Sequence, residues 1–175
     1  MSEKKFYQFE SIFEVLQNQH LYLKNKNQDV ITVLNQIAAD LDRLKEKHSI
    51  SCLLFHNRGE HNEFYIFFQA IDENKKFHAY YDYEMHLNDG TSFGLGNYKD
   101  EIDEFPIPDY FDCERSKYLN EMMFQFFVEC YWNSHLFAKD IPCIYSHTTD
   151  CDSLVELKDP YKEYHSIESI LERHV

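Results

Sequence analysis

The chain has 175 residues, of which 43% are hydrophobic, and this is enough apolar material for the core of one domain. It carries 31 Asp and Glu against 17 Lys and Arg, giving a formal net charge of -14, and it has only four glycines and four prolines. This composition excludes collagen-like and disordered classes, and the charge disfavours nucleic acids and anionic membrane surfaces as partners, because both attract clustered cations.

The chain shows no sign of export. Gln8 and Glu10 interrupt the apolar stretch that a secretory signal needs near the N-terminus. The five cysteines are odd in number and not closely paired, unlike those of a disulfide scaffold. We therefore expect a cytoplasmic protein with reduced thiols.

The first part of the chain, 11–48, is predicted to be helical. Ser11 and Glu14 match a capping box at a helix start. From Asp29 onward, apolar residues recur every three or four positions and therefore share one face of a helix that ends near His48. They are Val30, Val33, Leu34, Ile37, Leu41 and Leu44.

The next part, 50–98, is predicted to be a sheet. Aromatic and β-branched residues dominate 50–56, 63–71, 77–86 and 91–98, and turn-forming residues separate these strands. The short breaks predict antiparallel neighbours, and Asp89-Gly90 suits a tight hairpin turn. In the third strand every second residue is apolar or aromatic, and this alternation predicts one apolar face. The residues of that face are Phe77, Ala79, Tyr81, Tyr83 and Met85.

The second half begins with an acidic loop, 99–114, in which Pro106 and Pro108 preclude a helix. A long apolar helix is predicted over 116–135, and strands and a final helix over 141–174. The predicted fold is α+β: one domain, 1–175, with an antiparallel sheet of four to six strands, and with the N-terminal helices and the long apolar helix packed on one face.

The spacing of Cys143, His147 and Cys151 matches a metal site. Thiolate and imidazole suit zinc, but a structural site needs a fourth ligand, such as Cys113. The alternative is a strand and loop with incidental residues, since the chain has ten His and five Cys. A small metal-dependent enzyme or a zinc-stabilised domain therefore stays open as an alternative function.

Histidines also occur in the predicted sheet. His56 and His61 flank a turn, while His78 and His86 lie in the third strand. A carboxylate beside one of them would suit acid–base chemistry, and the alternative is that they are simply solvated. The chain has no nucleophile elbow, Walker or kinase signature, so no catalytic residue and no cofactor is predicted.

The distribution of carboxylates points to a partner. Seven of them lie between Asp100 and Glu114 without an intervening Lys or Arg, and aromatic residues are interleaved. Carboxylates steer a basic protein and tyrosines anchor an interface, whereas the alternative is a solvated acidic loop. The predicted partner-binding residues are Tyr80, Asp82, Tyr83, Glu84, Asp100, Glu101, Asp103, Glu104, Tyr110 and Asp112.

The acidic, tyrosine-rich stretch from Tyr80-Tyr81-Asp82-Tyr83-Glu84 to Glu114 resembles the immunity proteins of bacterial polymorphic-toxin and contact-dependent inhibition systems. The resemblance is to their general type. It implies a non-enzymatic cytoplasmic protein that binds a basic toxin domain and occludes its active site. A third possibility is an acidic adaptor or scaffold that associates through the helix from Ser116 to His135.

Overall fold

The computed structural model describes residues 6–9, 12–57, 65–87, 92–95, 109–146, 154–160 and 163–164. Three α-helices lie in this part of the chain: α1 (Ile12–Lys24), α2 (Asn27–His48) and α3 (Asp109–Trp132). Its strands are β1 (Phe6–Phe9), β2 (Ile50–Asn57), β3 (Tyr65–Asp72), β4 (Phe77–Ala79), β5 (Met85–His86), β6 (Ser92–Leu95), β7 (Cys143–Ser146), β8 (Leu154–Glu156) and β9 (Glu163–Tyr164). Short 3₁₀ helices occupy Tyr81–Tyr83 and His135–Ala138.

The main sheet has the strand order β4-β3-β2-β7-β8-β9, and β5 pairs with the same edge of β3 as β4 does. Its pairings are antiparallel except for β2 and β7, which run parallel with Leu53 opposite Cys143. Parallel strands need a long crossover, and here the connection includes β3 to β6 and α3. The predicted α+β class is confirmed, and the sheet is mixed.

The helices pack on one face of this sheet. The buried side of α2 consists largely of the residues that the sequence periodicity selects, with Val33 half-buried at its border. The ring of Phe55 lies 5.2 Å from that of Phe68 and 5.1 Å from that of Phe127 on α3. The core therefore joins both long helices to the central strands.

The opposite face of the sheet carries a second, smaller buried cluster, formed by Cys52, Leu54, Ile71, Ile144 and Leu154. Alternating residues of β2 thus enter two different clusters. A register shift between Ile50 and Cys52 returns Ile50 to the helix-covered side, and the Ser51 hydroxyl donates a hydrogen bond to the Ile71 carbonyl at 3.0 Å. The central strands are buried on both faces.

The helix α3 covers most of the predicted span 116–135, but it begins at Asp109 and ends at Trp132. In its second half, Met123, Phe127 and Tyr131 are buried, and polar residues are exposed between them. Only the backbone of 109–120 is described, so an apolar surface extending over several faces of α3 stays a prediction. Among the described residues, no helix combines the length and apolarity needed to cross a membrane.

Two sequence-based expectations about the strands were wrong. The predicted strand 77–86 is divided into β4, a 3₁₀ turn and β5, and its supposed apolar face includes the exposed Phe77 and Tyr81. The predicted hairpin partner 91–98 contributes β6, which instead pairs in parallel with β1 in a separate small sheet. After β8, residues 157–160 form turns and β9 follows, and the rest of the predicted C-terminal part, 165–174, lies outside the described residues.

Candidate functional site

The candidate site is the edge segment, which we define as residues 77–86, comprising β4, the 3₁₀ turn and β5. It forms one margin of the main sheet, and β3 is its neighbour on the inner side. Tyr80 and Tyr83 both turn toward the helices, and two side chains at odd spacing cannot share one face of a regular strand. The 3₁₀ turn allows this arrangement.

Tyr83 attaches the edge segment to the middle of α2. Its side chain is only 4% exposed, and its hydroxyl group donates a 2.6 Å hydrogen bond to Oδ2 of Asp40. Arg43 pairs with the same carboxylate oxygen at 3.2 Å and donates to the Tyr83 hydroxyl at 3.4 Å. Burial, together with the Asp40 carboxylate, raises the pKa of Tyr83 to about 12. Tyr83 is therefore a core residue that keeps its proton.

A second attachment lies where α2 ends. The imidazole of His78 in β4 stacks on that of His48, with ring centroids 4.1 Å apart and planes at 22°. His78 Nε2 donates to Oδ2 of Asp72 at 2.8 Å, while Oδ1 of the same carboxylate accepts from the backbone N–H groups of Asn74 and Lys76. These donors, with that of His78 foremost, lower the pKa of Asp72.

His48 experiences the opposite kind of environment. Its pKa is lowered, first by partial burial and then by the neighbouring charges of His78 and Lys47. The neutral imidazole is thus the favoured form in the folded protein. We call His48, Asp72 and His78 the histidine cluster.

The outward side of the edge segment carries the accessible groups. Tyr81 is 70% exposed, the highest fraction among the large hydrophobic residues whose side chains the structure describes, and its ring centroid lies 5.7 Å from that of Phe67. Asp82 beside it is exposed, and Glu84 lies 3.5 Å from the exposed His86. The Tyr81 ring and the Asp82 carboxylate therefore face outward from a segment that α2 and β3 hold in place, and the half-buried Glu84 lies beside His86.

The predicted partner-binding residues are placed as follows. Asp82 is exposed, Tyr80 and Glu84 are half-buried, and Tyr83 is buried. Tyr110 and Asp112 lie in α3, where only the backbone is described. The remaining four lie outside the described residues: Asp100, Glu101, Asp103 and Glu104. The structure thus brings Tyr80 to Glu84 together in the edge segment.

The proposed metal ligands receive no support from the described residues. Cys143 is fully buried in β7, and burial raises the pKa of its thiol to about 12, although a metal requires the thiolate. Its neighbour is the hydroxyl of Tyr131. His147 and Cys151 lie outside the described part, within which no group of three or more His, Cys, Asp or Glu could hold a metal ion.

Sequence reasoning missed Tyr81 as the exposed ring, and it missed His48, Asp72, Asp40 and Arg43 as supports. Asp40 and Arg43 are three residues apart on α2, a spacing that allows a helical ion pair. The histidine cluster has no such signal, because its members come from three different elements. Of the sheet histidines, His78 does have a carboxylate beside it, while His56 Nε2 lies 2.8 Å from Gln69 Oε1.

Comparison with known proteins adds no relative to this geometry. No protein-family model, no curated protein and no solved structure matches the chain.

Proposed function

We propose that the protein is a non-enzymatic binding module of the immunity-protein type, which neutralises a basic toxin domain by covering its active site. The observation that carries the proposal is Tyr81, which is 70% exposed beside the exposed Asp82. Both lie on a segment that Tyr83 and His78 attach to α2. The proposal extends the resemblance in the tyrosine-rich stretch to a defined surface.

The attachment of the edge segment favours binding. A loop that must become ordered on association loses conformational entropy, and this loss weakens the complex. Tyr83 and His78 already hold the turn that carries Tyr81. Tyrosine is enriched among residues that dominate interface energies, because its rigid ring buries a large area and its hydroxyl group can pair. Tyr81 is therefore the expected anchor.

Charge determines the kind of partner. Asp82 and Glu84 follow Tyr81 within three residues, and the whole chain has a net charge of -14. Such a field attracts a basic surface over several Ångströms and accelerates association, especially at low ionic strength. A lysine or arginine of the partner can then pack on the tyrosine ring while it pairs with a carboxylate. The active-site cleft of a basic toxin domain offers these groups.

Recognition is expected to use side chains rather than strand addition. A partner strand that extends a sheet needs a continuous row of free backbone groups. Here β4 has three residues and β5 has two, with the 3₁₀ turn between them. This interruption makes the edge a poor template for a further strand.

The test uses as binding partner the product of the reading frame adjacent to that of this chain, which the resemblance implies is the toxin. The combined variant Asp82→Lys and Glu84→Lys should slow association about tenfold at low salt and flatten its salt dependence. Tyr81→Ala should accelerate dissociation by about tenfold or more. Stopped-flow or surface plasmon resonance measurements separate the two rates.

The combined variant Glu129→Lys and Asp140→Lys is the matched control, because both residues are exposed outside the edge segment and the total charge change is the same. It should leave dissociation unchanged and affect association only slightly. A second variant reverses the charges of the acidic loop and measures how much this loop contributes to the association rate. The reversed residues are Asp100, Glu101, Asp103 and Glu104. Binding that is unaffected by both reversals and by Tyr81→Ala would show that the partner docks elsewhere.

A further inference from the structure

The two attachments of the edge segment differ in chemistry. Tyr83 holds the side near β5 through a hydroxyl group that keeps its proton up to about pH 12. His78 holds the side near β4 through an imidazole stacked on His48 at 4.1 Å. Of the two attachments, the second is the one built from imidazoles, the side-chain type whose charge changes between pH 5 and 8.

We propose that the histidine cluster is a proton-sensitive attachment: one proton on the stacked pair is tolerated, whereas a second proton releases β4 from the end of α2. The opening is a property of this chain alone. Its consequence, a less ordered Tyr81 and weaker binding in acid, rests on the proposed function.

The first proton has a partner in place. Asp72 accepts a hydrogen bond from His78 Nε2 at 2.8 Å, so a positive His78 forms an ion pair with a carboxylate that two backbone N–H groups already orient. Protonation of His78 alone therefore strengthens the link between β4 and β3.

The second proton has no such compensation among the described residues. The groups around His48 are His78 in β4, Lys47 in α2, Asp72 in β3, Lys76 in the following turn and the ring of Tyr80 at 6.3 Å. With both imidazoles charged, four cations surround one carboxylate. The carbonyl groups at the end of α2 favour positive charge, but Lys45 and Lys47 already lie in this last turn.

The direction of the pH dependence follows from His48. Its pKa in the folded chain lies below the ordinary 6.5, so the unfolded or locally opened form binds the proton more readily. The stabilisation from the stack is complete above pH 6.5 and is lost as the pH falls below that value. Tyr83 and its hydrogen bond to Asp40 keep the other side of the segment in place, so the opening is confined to residues near β4.

Amide hydrogen exchange of the full chain tests the opening at pH 7.5 and 5.5, with each rate divided by its intrinsic value. The Tyr80 amide, which donates to the Phe68 carbonyl at 3.3 Å, should lose protection by about tenfold in acid, because the opened form binds the proton on His48 more readily. The protection of the β2 amides in the same sample should stay unchanged between the two pH values. In His48→Gln, which cannot be charged, the change should fall below about twofold.

His135→Gln is the matched control, because the His135 side chain is exposed and lies outside the cluster. It should behave like the unaltered chain. If His48→Gln fails to fold, an NMR titration of the native imidazoles decides: the His48 midpoint should lie below 6.5 and should rise in His78→Gln. A His48 midpoint that is the same in both proteins, or an unchanged acid response in His48→Gln, overturns the proposal.

Discussion

At the scale of single residues, two tyrosines separated by one position have opposite environments. Tyr81 is 70% exposed, and Tyr83 is 4% exposed with its hydroxyl group on Asp40. Alternation along a strand places residues 81 and 83 on the same face, and this was the sequence-based expectation. The 3₁₀ turn places the two rings on different sides, with Tyr83 toward the helices. The hydrogen bond from Tyr83 to Asp40 on α2 offsets the strand pairing that the turn interrupts.

This difference predicts unequal effects of the same substitution. Tyr83→Phe removes a hydroxyl group that donates to a carboxylate, and it should lower the free energy of unfolding by about 1–2 kcal/mol. Tyr81→Phe, with the same chemical change at an exposed ring, should stay within about 0.5 kcal/mol of the original protein. Urea unfolding followed by fluorescence measures both, and equal effects would contradict the assigned role of Tyr83.

The histidine cluster marks the limit of residue-level prediction. His78 was a candidate for acid–base chemistry only if a carboxylate lay beside it, and its spacing from Asp72 gives no hint that it does. The contact exists because the β3–β4 turn folds back, with Lys75 at a positive φ of 63°, and the Asp72 side chain at its start reaches His78, whose partner across the strands is Ala70. His48 joins them only through tertiary packing of α2 against the edge of the sheet.

At the scale of elements, α2 was predictable because its apolar period is long and unbroken. It ends at His48, and Ser49 then adopts a left-handed conformation with φ 50° while its N–H donates to the Lys45 carbonyl at 2.8 Å. A left-handed residue ends many helices, but glycine is the residue that adopts this conformation without steric cost. Serine at this position is therefore less stabilising than glycine would be.

Ser49→Gly should raise the free energy of unfolding by about 0.5–1 kcal/mol, because the relieved backbone strain exceeds the added freedom of the unfolded chain. Gln36→Gly is the matched control, at an exposed position inside α2, and it should lower stability by about 1 kcal/mol. Thermal and urea unfolding should give opposite signs for the two variants. A loss of stability in Ser49→Gly would mean that the serine makes a compensating interaction.

The strands were predictable in proportion to their length and burial. The strands β2 and β3, with eight residues each, lie where aromatic and β-branched residues are dense. The four-residue β1 and the two-residue β9 carry too little pattern to distinguish them from loops. The prediction for the edge segment failed for a different reason. Its composition favours a strand, whereas the hydrogen bonds between Tyr83 and α2 favour a turn.

At the scale of the whole molecule, local reasoning finds hairpins but not the parallel pairing of β2 with β7. Leu53 and Cys143 meet across the centre of the sheet although slightly more than half the length of the chain separates them. Nothing in either strand specifies the other, because both are apolar on two faces and would fit several neighbours. The pairing depends on α3, which packs on both strands through rings such as Phe127 against Phe55 and Tyr145.

The net charge of -14 is also a property of the whole chain, and it predicts how stability responds to salt. Excess carboxylates repel one another in the compact state, and salt screens this repulsion as the Debye length falls from about 30 Å at 0.01 M to about 10 Å at 0.1 M. Raising NaCl from 0.01 to 0.3 M at pH 7.5 should therefore increase the free energy of unfolding by about 1 kcal/mol.

Urea is the appropriate denaturant, because guanidinium is itself a salt. The combined variant Asp82→Lys and Glu84→Lys changes the formal charge from -14 to -10, since each reversal adds two units. Its response to NaCl should accordingly be smaller than that of the original chain. A decrease in stability with salt would instead mean that attractive ion pairs such as Arg43–Asp40 outweigh the repulsion between carboxylates. In that case the acidic surface would not lower the stability of the fold, and a basic partner would not be needed to explain why the chain carries it.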